Sequence, residues 1–352
     1  MLQNGSELLK RSFVFNIDDE SKTGEVRRFT ADITDELKFT ETRASRAAIV
    51  VSELVTNLAK HATDGEIILR AVNELDLTYF EVIAVDRGPG FDDPSNSFRD
   101  GVSSSQTLGT GLGAIRRQSD IFDFSTDSNG TLMVAEIHAN DESAALAKRK
   151  RIRISGLCLP LAPETVCGDA WAVRDSGSNE LELIVIDGLG HGPIAHRAAL
   201  AALESFSEIP RGTPPNTMLT SLHGALKSTR GAAISLAKLH FDGHSDETSI
   251  DFSGIGNVRA VVCDPADEKT MLTHPGTAGL QFKPRPPIRA EWSGRGAFIF
   301  HSDGLQSRWT SQSVRDVLCQ HPALIAASLY RSFNRRSDDV TIVVATFYEG
   351  QH

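Results

Sequence analysis

Two α+β units in succession are what this sequence predicts, and three observations carry that expectation. Apolar residues recur at helical spacing early in the chain, short apolar runs bounded by Gly and Asp recur throughout, and one polar, Ala-rich and then basic segment (NDESAALAKRKR) interrupts them. In the first unit Ala47, Ile49, Val50, Leu54, Val55, Leu58 and Ala59 follow a helical period, and a weaker pattern runs from Glu25 to Leu37. Runs at Glu66 to Val72, Leu77 to Val85 and Thr131 to Ile137 read as strands, and a short helix is expected from Gly111 to Ser119 between Gly-rich turns. The interrupting segment suits a short helix or connector, which divides the chain into residues 1–139, a linker 140–151 and residues 152–352. Beyond it, strands are expected at Ala170 to Val173, Leu181 to Ile186, Ala232 to Leu239, Ser249 to Phe252, Val258 to Val262, Ala297 to Phe300 and Val340 to Phe347. Helices are expected between them at Ile194 to Phe206, Asn216 to Ser228 and Ser311 to Phe333. No internal repeat is visible, so the halves are different modules.

Composition agrees with two ordinary globular units. The 352 residues exceed the roughly 100–200 of one domain, and 40% of them are hydrophobic against 23% charged. Against 46 Asp+Glu stand 36 Lys+Arg, a formal net charge of −10, which argues against a nucleic-acid reader. The one basic run is Lys148, Arg149, Lys150, Arg151 and Arg153. Cys158, Cys167, Cys263 and Cys319 are too widely spaced for a disulfide framework or a Cys-x-x-Cys zinc site, and reduced thiols are expected. Met1 to Arg11 lacks the pattern of a signal peptide and the most apolar stretches are strand-sized, so the expectation is a cytoplasmic protein without a membrane span.

Glu53 and Asn57 lie four apart on the second helix and so leave one face together. Alone, that spacing is commonplace on a solvated helix. Here it is followed by Asp86-Arg87-Gly88-Pro89-Gly90, directly after an apolar strand, and then by Gly109-Thr110-Gly111-Leu112-Gly113 opening a helix. A carboxylate at a strand end can accept the amino hydrogen of adenine, and glycines at a helix N-terminus offer free N–H groups to phosphates. In this order the elements resemble the N box and the two glycine boxes of the GHKL ATPases, over residues ~10–139. SELVTNLAKHA, VDRGPGF and GTGLGAIRRQSD are most similar to the anti-sigma-factor and switch-kinase (RsbT-like) branch. That resemblance implies a GHKL-type α/β sandwich in which Asn57 binds the Mg²⁺ that bridges the phosphates of ATP. It further implies that Asp86 selects adenine, that Gly88, Gly90, Gly109, Gly111 and Gly113 shape the pocket, and that Glu53 is the general base toward an acceptor serine. His61, one turn beyond Asn57, is more often structural at such a position.

In the second half acidic residues recur at strand ends: Gly168-Asp169, Asp187-Gly188-Leu189-Gly190-His191-Gly192, Ser302-Asp303-Gly304 and Asp338-Asp339. Each piece alone is an ordinary turn, but four of them abutting apolar runs could gather a hard oxygen cage suited to Mg²⁺ or Mn²⁺. The motifs and their order resemble the PPM metal-dependent phosphatases of the SpoIIE-type (RsbX-like) branch, over about residues 152–348. The resemblance implies a PPM-type α/β/β/α sandwich holding two ions. Asp187 would bridge them, the Gly188 carbonyl would hold one, and Asp303 and Asp338 the other. Asp169 would act directly or through water, and Asp339 would support the cage. Water activated between the ions would attack phosphorus in line. An arginine that holds substrate phosphate in many relatives has no assigned counterpart among Arg151, Arg153 and Arg174. His191 is read as the helix entry or a proton donor, and Cys167, lacking a His and Asp partner pattern, as a buried inert thiol.

Together the resemblances imply opposed reactions in one partner-switching circuit. The expected function is a serine kinase and a metal-dependent phosphoserine/phosphothreonine phosphatase acting on a STAS-domain antagonist protein. The alternative is a phosphatase regulated by an ATP-binding module without kinase activity, with a sigma factor as partner. Homodimerisation, and transmission of nucleotide state through the linker, are expectations from position and from related ATPase modules.

Overall fold

The computed structural model describes residues 12–90, 108–241, 248–265 and 267–347; Met1 to Arg11 and Phe91 of the VDRGPGF motif lie outside them. The chain divides between Lys150 and Arg151 into two compact units. Among the described residues no helix is long and apolar enough to cross a membrane.

The first unit runs β1 (Ser12–Ile17), α1 (Thr23–Glu36), α2 (Glu41–His61), β2 (Gly65–Glu74), β3 (Leu77–Val85), α3 (Leu108–Gln118), β4 (Ile121–Asp127), β5 (Gly130–His138) and α4 (Asp141–Arg149). Its strands form one five-stranded antiparallel sheet in the order β1-β2-β3-β5-β4. The apolar stripe of α2, including Val50, Leu54 and Val55, packs with Ile67, Leu69, Val82, Ala84 and Met133 in one buried cluster. Thr40 caps α2 by accepting the Arg43 N–H at 3.4 Å, and Asp120 draws Arg43 and Arg46 to 2.6 and 3.0 Å, tying the helix start to the α3–β4 turn.

Two strands here were not expected from the sequence. β1 and β4 are the edges of the sheet, and an edge strand is only half-covered, so its apolar content is too thin to stand out. The segment read as a short helix or connector is a helix. Asn140 caps α4 by accepting the Ser143 N–H at 2.7 Å, acidic residues fill the first turn and basic ones the last, and Ser143 Oγ accepts from Thr78 N–H of β3 at 3.1 Å. Residues 141–149 therefore fold with the first unit.

The second unit runs β6 (Ile152–Leu159), β7 (Asp169–Gly177), β8 (Glu180–Gly188), α5 (Gly192–Glu208), α6 (Pro215–Ala225), β9 (Ala232–Phe241), β10 (Thr248–Ile255), β11 (Arg259–Cys263), β12 (Glu268–Met271), β13 (Ile288–Trp292), β14 (Ala297–His301), α7 (Pro322–Phe333) and β15 (Val340–Phe347). Two five-stranded antiparallel sheets, β13-β10-β9-β8-β7 and β12-β11-β14-β15-β6, face each other. Phe252 of β10 lies 6.3 Å from Phe300 of β14. Trp171 of β7 fills the space over Gly156 of β6, where a Cβ would come within 2.7 Å of the indole. Helices α5 and α6 cover the outer face of the first sheet and α7 that of the second, which completes the expected α/β/β/α layering. The long helix expected from Ser311 to Phe333 is two pieces, a 3-10 segment at Ser311–Val317 and then α7. Pro322 is the reason: it cannot continue a helix but suits the first position of a new one.

Candidate functional site

The first unit holds a cavity of about 210 Å³ between the C-terminal half of α2 and the sheet. Leu54, Leu58, Ala84 and Met133 form its apolar walls, and Asn57, Asp86, His61 and Thr131 supply polar atoms. Asp86 stands where β3 ends, its N–H bonded to Thr131 O at 2.9 Å. Its Oδ1 accepts the Thr63 and Gly88 N–H groups at 2.9 and 2.7 Å, so the carboxylate fixes its own turn to the end of α2. Gly90 (φ +76°) passes so close to the Asp127 carbonyl that a side chain has no room.

Glu53 leaves α2 toward the glycine-rich start of α3. A Cβ on Gly111 would lie 2.7 Å from Glu53 Oε2 and 3.7 Å from Asn57 Oδ1, so this glycine makes the approach of the two helices possible. Gly109, Gly111 and Gly113 fall inside α3, which begins at Leu108 rather than at Gly111 as the sequence suggested. The Asn57 Nδ2 is buried with no hydrogen-bond partner among the described residues. A buried amide left unmatched beside a cradle of this shape fits a polar ligand such as a nucleotide with its Mg²⁺.

In the second unit the four acidic motifs converge at one end of the sandwich. Asp169 opens β7 and pairs in register with Asp187 near the end of β8. Asp303 follows β14 and Asp338 precedes β15, and Ser302 and Thr341 lace these strands through a Ser302 N–H to Thr341 O bond of 3.0 Å and a Thr341 N–H to Ser302 Oγ bond of 2.9 Å. Asp169 Oδ2 and Asp187 Oδ2 are both buried with no hydrogen-bond partner among the described residues. Burial pushes Asp187 up to about 9, helped by the charges of Asp169, Asp303 and Asp338. Burial, then the Cys158 thiol, holds Asp169 well above the usual carboxylate range. Buried carboxylates that repel one another in this way are a set that a hard divalent cation would neutralise.

Neighbouring groups shape the cage. Asp339 accepts the Leu161 N–H at 2.7 Å through one oxygen and the Gly168 N–H at 2.6 Å through the other, so it anchors the loop before Asp169. Gly188 donates its N–H to Gly168 O at 3.1 Å, and a Cβ on it would lie 2.7 Å from that oxygen. Asn257, which the sequence did not single out, donates from Nδ2 to Asp303 Oδ2 at 2.6 Å. His301 is buried beneath the Asp303 turn. Its Nε2 accepts from Trp309 Nε1 at 3.1 Å, which leaves the proton on Nδ1 to donate to Ser302 O at 2.8 Å, and burial lowers its pKa to about 4, so the ring is neutral.

The remaining candidates separate clearly. His191 stands at the N-cap of α5, its Nδ1 3.3 Å from Glu164 Oε1. Cys167 is buried and its thiol is pushed well up, first by burial and then by Cys158, which makes it inert. Arg174 is committed elsewhere: it bonds Glu182 and the Phe206 carbonyl at 2.6 Å each and lies over the Phe206 ring at 4.3 Å. Arg153 pairs with Thr346, at the end of β15 away from Val340 and the cage, roughly 20 Å along the strand. Arg230 places Nη1 3.8 Å from where a Cβ on Gly190, in the Asp187 motif, would sit. No motif announced it.

Residues 17–136 match a family model described as the histidine kinase-like ATPase domain. A 96-residue stretch is 32% identical to the serine/threonine-protein kinase RsbT of Bacillus subtilis (strain 168), covering 27% of this chain and 72% of that kinase. The chain belongs to the histidine kinase-like ATPase family. The ATPase unit thus accounts for the first half only. The chain is also similar to a solved structure described as the bacterial stressosome, a modular system adapted to control secondary messenger signaling, at 27% identity and a TM-score of 0.46 over 56% of this chain and 100% of that one. A crystal structure of RsbX in complex with magnesium is similar at 23% identity and a TM-score of 0.47, over 57% of this chain and 97% of that one.

Proposed function

We propose that the second unit is a Mn²⁺- or Mg²⁺-dependent phosphoserine/phosphothreonine phosphatase and that the ATPase unit is a serine kinase using ATP and Mg²⁺. Both would act on one STAS-domain antagonist protein in a bacterial partner-switching circuit. The observation that carries the reading is the meeting of Asp169, Asp187, Asp303 and Asp338, the first two with buried oxygens that no described residue satisfies. Divalent cations held there would supply Lewis acidity and an activated water for hydrolysis of a phosphate ester. Asp187 and the Gly188 carbonyl would hold one ion, and Asp187, Asp303 and Asp338 the other. Asn257 orients Asp303, Asp339 positions the Gly168 turn, and Arg230 would take the substrate phosphate. In the ATPase unit Asp86 would accept from adenine and Asn57 would hold Mg²⁺. Glu53 would draw the proton from the acceptor serine, a role supported by the kinase activity in the name of the RsbT relative.

Intact mass of the STAS protein, after incubation with ATP and Mg²⁺, tests both halves. Asp187→Ala is expected to leave it one phosphoryl group heavier, Glu53→Ala to leave it unmodified, and wild type with Mn²⁺ to remove the added group. If Asp187→Ala adds nothing, the ATPase unit is a nucleotide-binding module without kinase activity, and sigma-factor capture is the next assay. If Mn²⁺-dependent loss of phosphate is the same in wild type and Asp187→Ala, the phosphatase reading fails.

A further inference from the structure

Along the loops that carry Asp303 and Asp338 lies a second cavity, shallow and open to solvent, of about 470 Å³, lined by Gln306, Ser307, Arg308, Arg335 and Ser337. Its two walls are continuations of the loops that carry Asp303 and Asp338. Backbone bonds lace them together: Gln306 N–H to Phe333 O at 2.9 Å, Arg335 N–H to Gly304 O at 2.9 Å, and a bridge between Leu305 and Asn334. Arg259 holds the Ser307 carbonyl at 2.9 Å, and Arg308 lies 6.0 Å over the Phe333 ring. The floor is therefore built rather than a chance hollow between loops.

Arg308 and Arg335 are exposed, and neither forms an ion pair with a carboxylate among the described residues. In a chain of net charge −10, two guanidinium groups lining one cavity with two serine hydroxyls form a concentrated set of anion donors. Guanidinium forks match the geometry of carboxylate and phosphate. Resting on the phosphatase reading, we propose that this cavity is a subsite for an anionic side chain that flanks the phosphorylated serine of a protein substrate. The anion is the carboxylate of Asp or Glu, or a second phosphate. The subsite would act on substrate choice and leave the chemistry at the cage untouched.

The test uses the full chain with Mn²⁺ and three kinds of substrate: p-nitrophenyl phosphate, a phosphoserine peptide with alanine flanks, and the same peptide with Asp or a second phosphoserine placed in turn at each flanking position. At least one anionic peptide is expected to exceed the neutral one about tenfold in kcat/KM, through KM. Arg308→Ala with Arg335→Ala should erase that preference while p-nitrophenyl phosphate turnover stays within about twofold, and Arg308→Lys with Arg335→Lys should retain part of it. A preference that is absent, or that survives the double alanine variant, overturns the proposal. If wild type hydrolyses none of the substrates, the phosphatase reading has failed. Fluorescence anisotropy with the unphosphorylated Asp peptide then decides the cavity alone: weaker binding by the double alanine variant supports it, and equal binding sinks it.

Discussion

Glu53 and Asn57 stand one turn apart on a single helix, Asn57 lining a cavity of about 210 Å³, whereas Asp169, Asp187, Asp303 and Asp338 arrive from four separated strand ends, Asp169 buried and the other three half-buried. In the first site Glu53, Asn57 and Asp86 are half-buried, and the local geometry of α2 alone sets the spacing of the first two. In the second, position depends on the register of β7 with β8 and of β14 with β15, and burial raises Asp169 and Asp187. The difference teaches that a pair of groups on one helix is set as soon as its helix forms, while a cage of like charges requires the finished sandwich.

The largest effects should come from two glycines that let backbone reach a site. A Cβ on Gly130 (φ +122°) would fall inside the van der Waals shell of the Asp86 carbonyl, and one on Gly304 would do the same to the Asp339 carbonyl. Each alanine variant is expected to destabilise its own unit by about 2 kcal/mol or more in urea unfolding. Gly130→Ala should weaken ATP binding and spare Mn²⁺ binding, and Gly304→Ala the reverse. A variant that weakens both ligands would break the contrast by showing that the units share their stability.

Next in size is the dependence of metal affinity on pH. Without a cation the folded-state pKa of Asp187 is raised to about 9, above its ordinary value of 3.8. Between those values the folded unit keeps a proton that the unfolded chain releases, so metal-free stability falls as pH rises. Divalent binding must displace that proton, and Mn²⁺ affinity should climb by up to about tenfold per pH unit per proton between about pH 6 and 8. Calorimetric titration across that range checks it. A flat profile would place the ionised cage already in the free protein.

The smallest effect concerns the thiols. Cys158, Cys167 and Cys263 are buried and Cys319 is exposed. A thiol reagent should label one cysteine quickly and the other three only on unfolding, with hydrolysis of a phosphoserine peptide unchanged after the first. Rapid labelling of Cys167 beside the cage would sharpen the contrast differently, by showing that the cage opens.

Much of this could be read along the chain because it is local. The apolar period of α2, the strands at Leu77–Val85 and Val340–Phe347, and the Asp-Gly turns all rest on spacings of a few residues. The edge strands β1 and β4 were missed because one-sided burial leaves little pattern. The break before α7 was overlooked because periodicity on both sides of Pro322 outweighed the proline itself. Asn257 and Arg230 gave no signal, since each is an isolated polar residue whose partner lies far away in sequence.

The sequence by itself determined the two-unit α+β plan, the residues with chemistry to offer and their placement at strand ends and on α2, because helical and strand periods and turn propensities act within a few residues. The tertiary structure alone decided that Asp339 anchors a loop with both oxygens, that Arg174 is held against Phe206, and that Arg308 and Arg335 share a cavity along the loops that carry Asp303 and Asp338. It also decided which carboxylate oxygens find no hydrogen-bond partner among the described residues. Burial, register and the fields of neighbouring charges are properties of residues brought together across long separations, and they arise only once the sheets have packed.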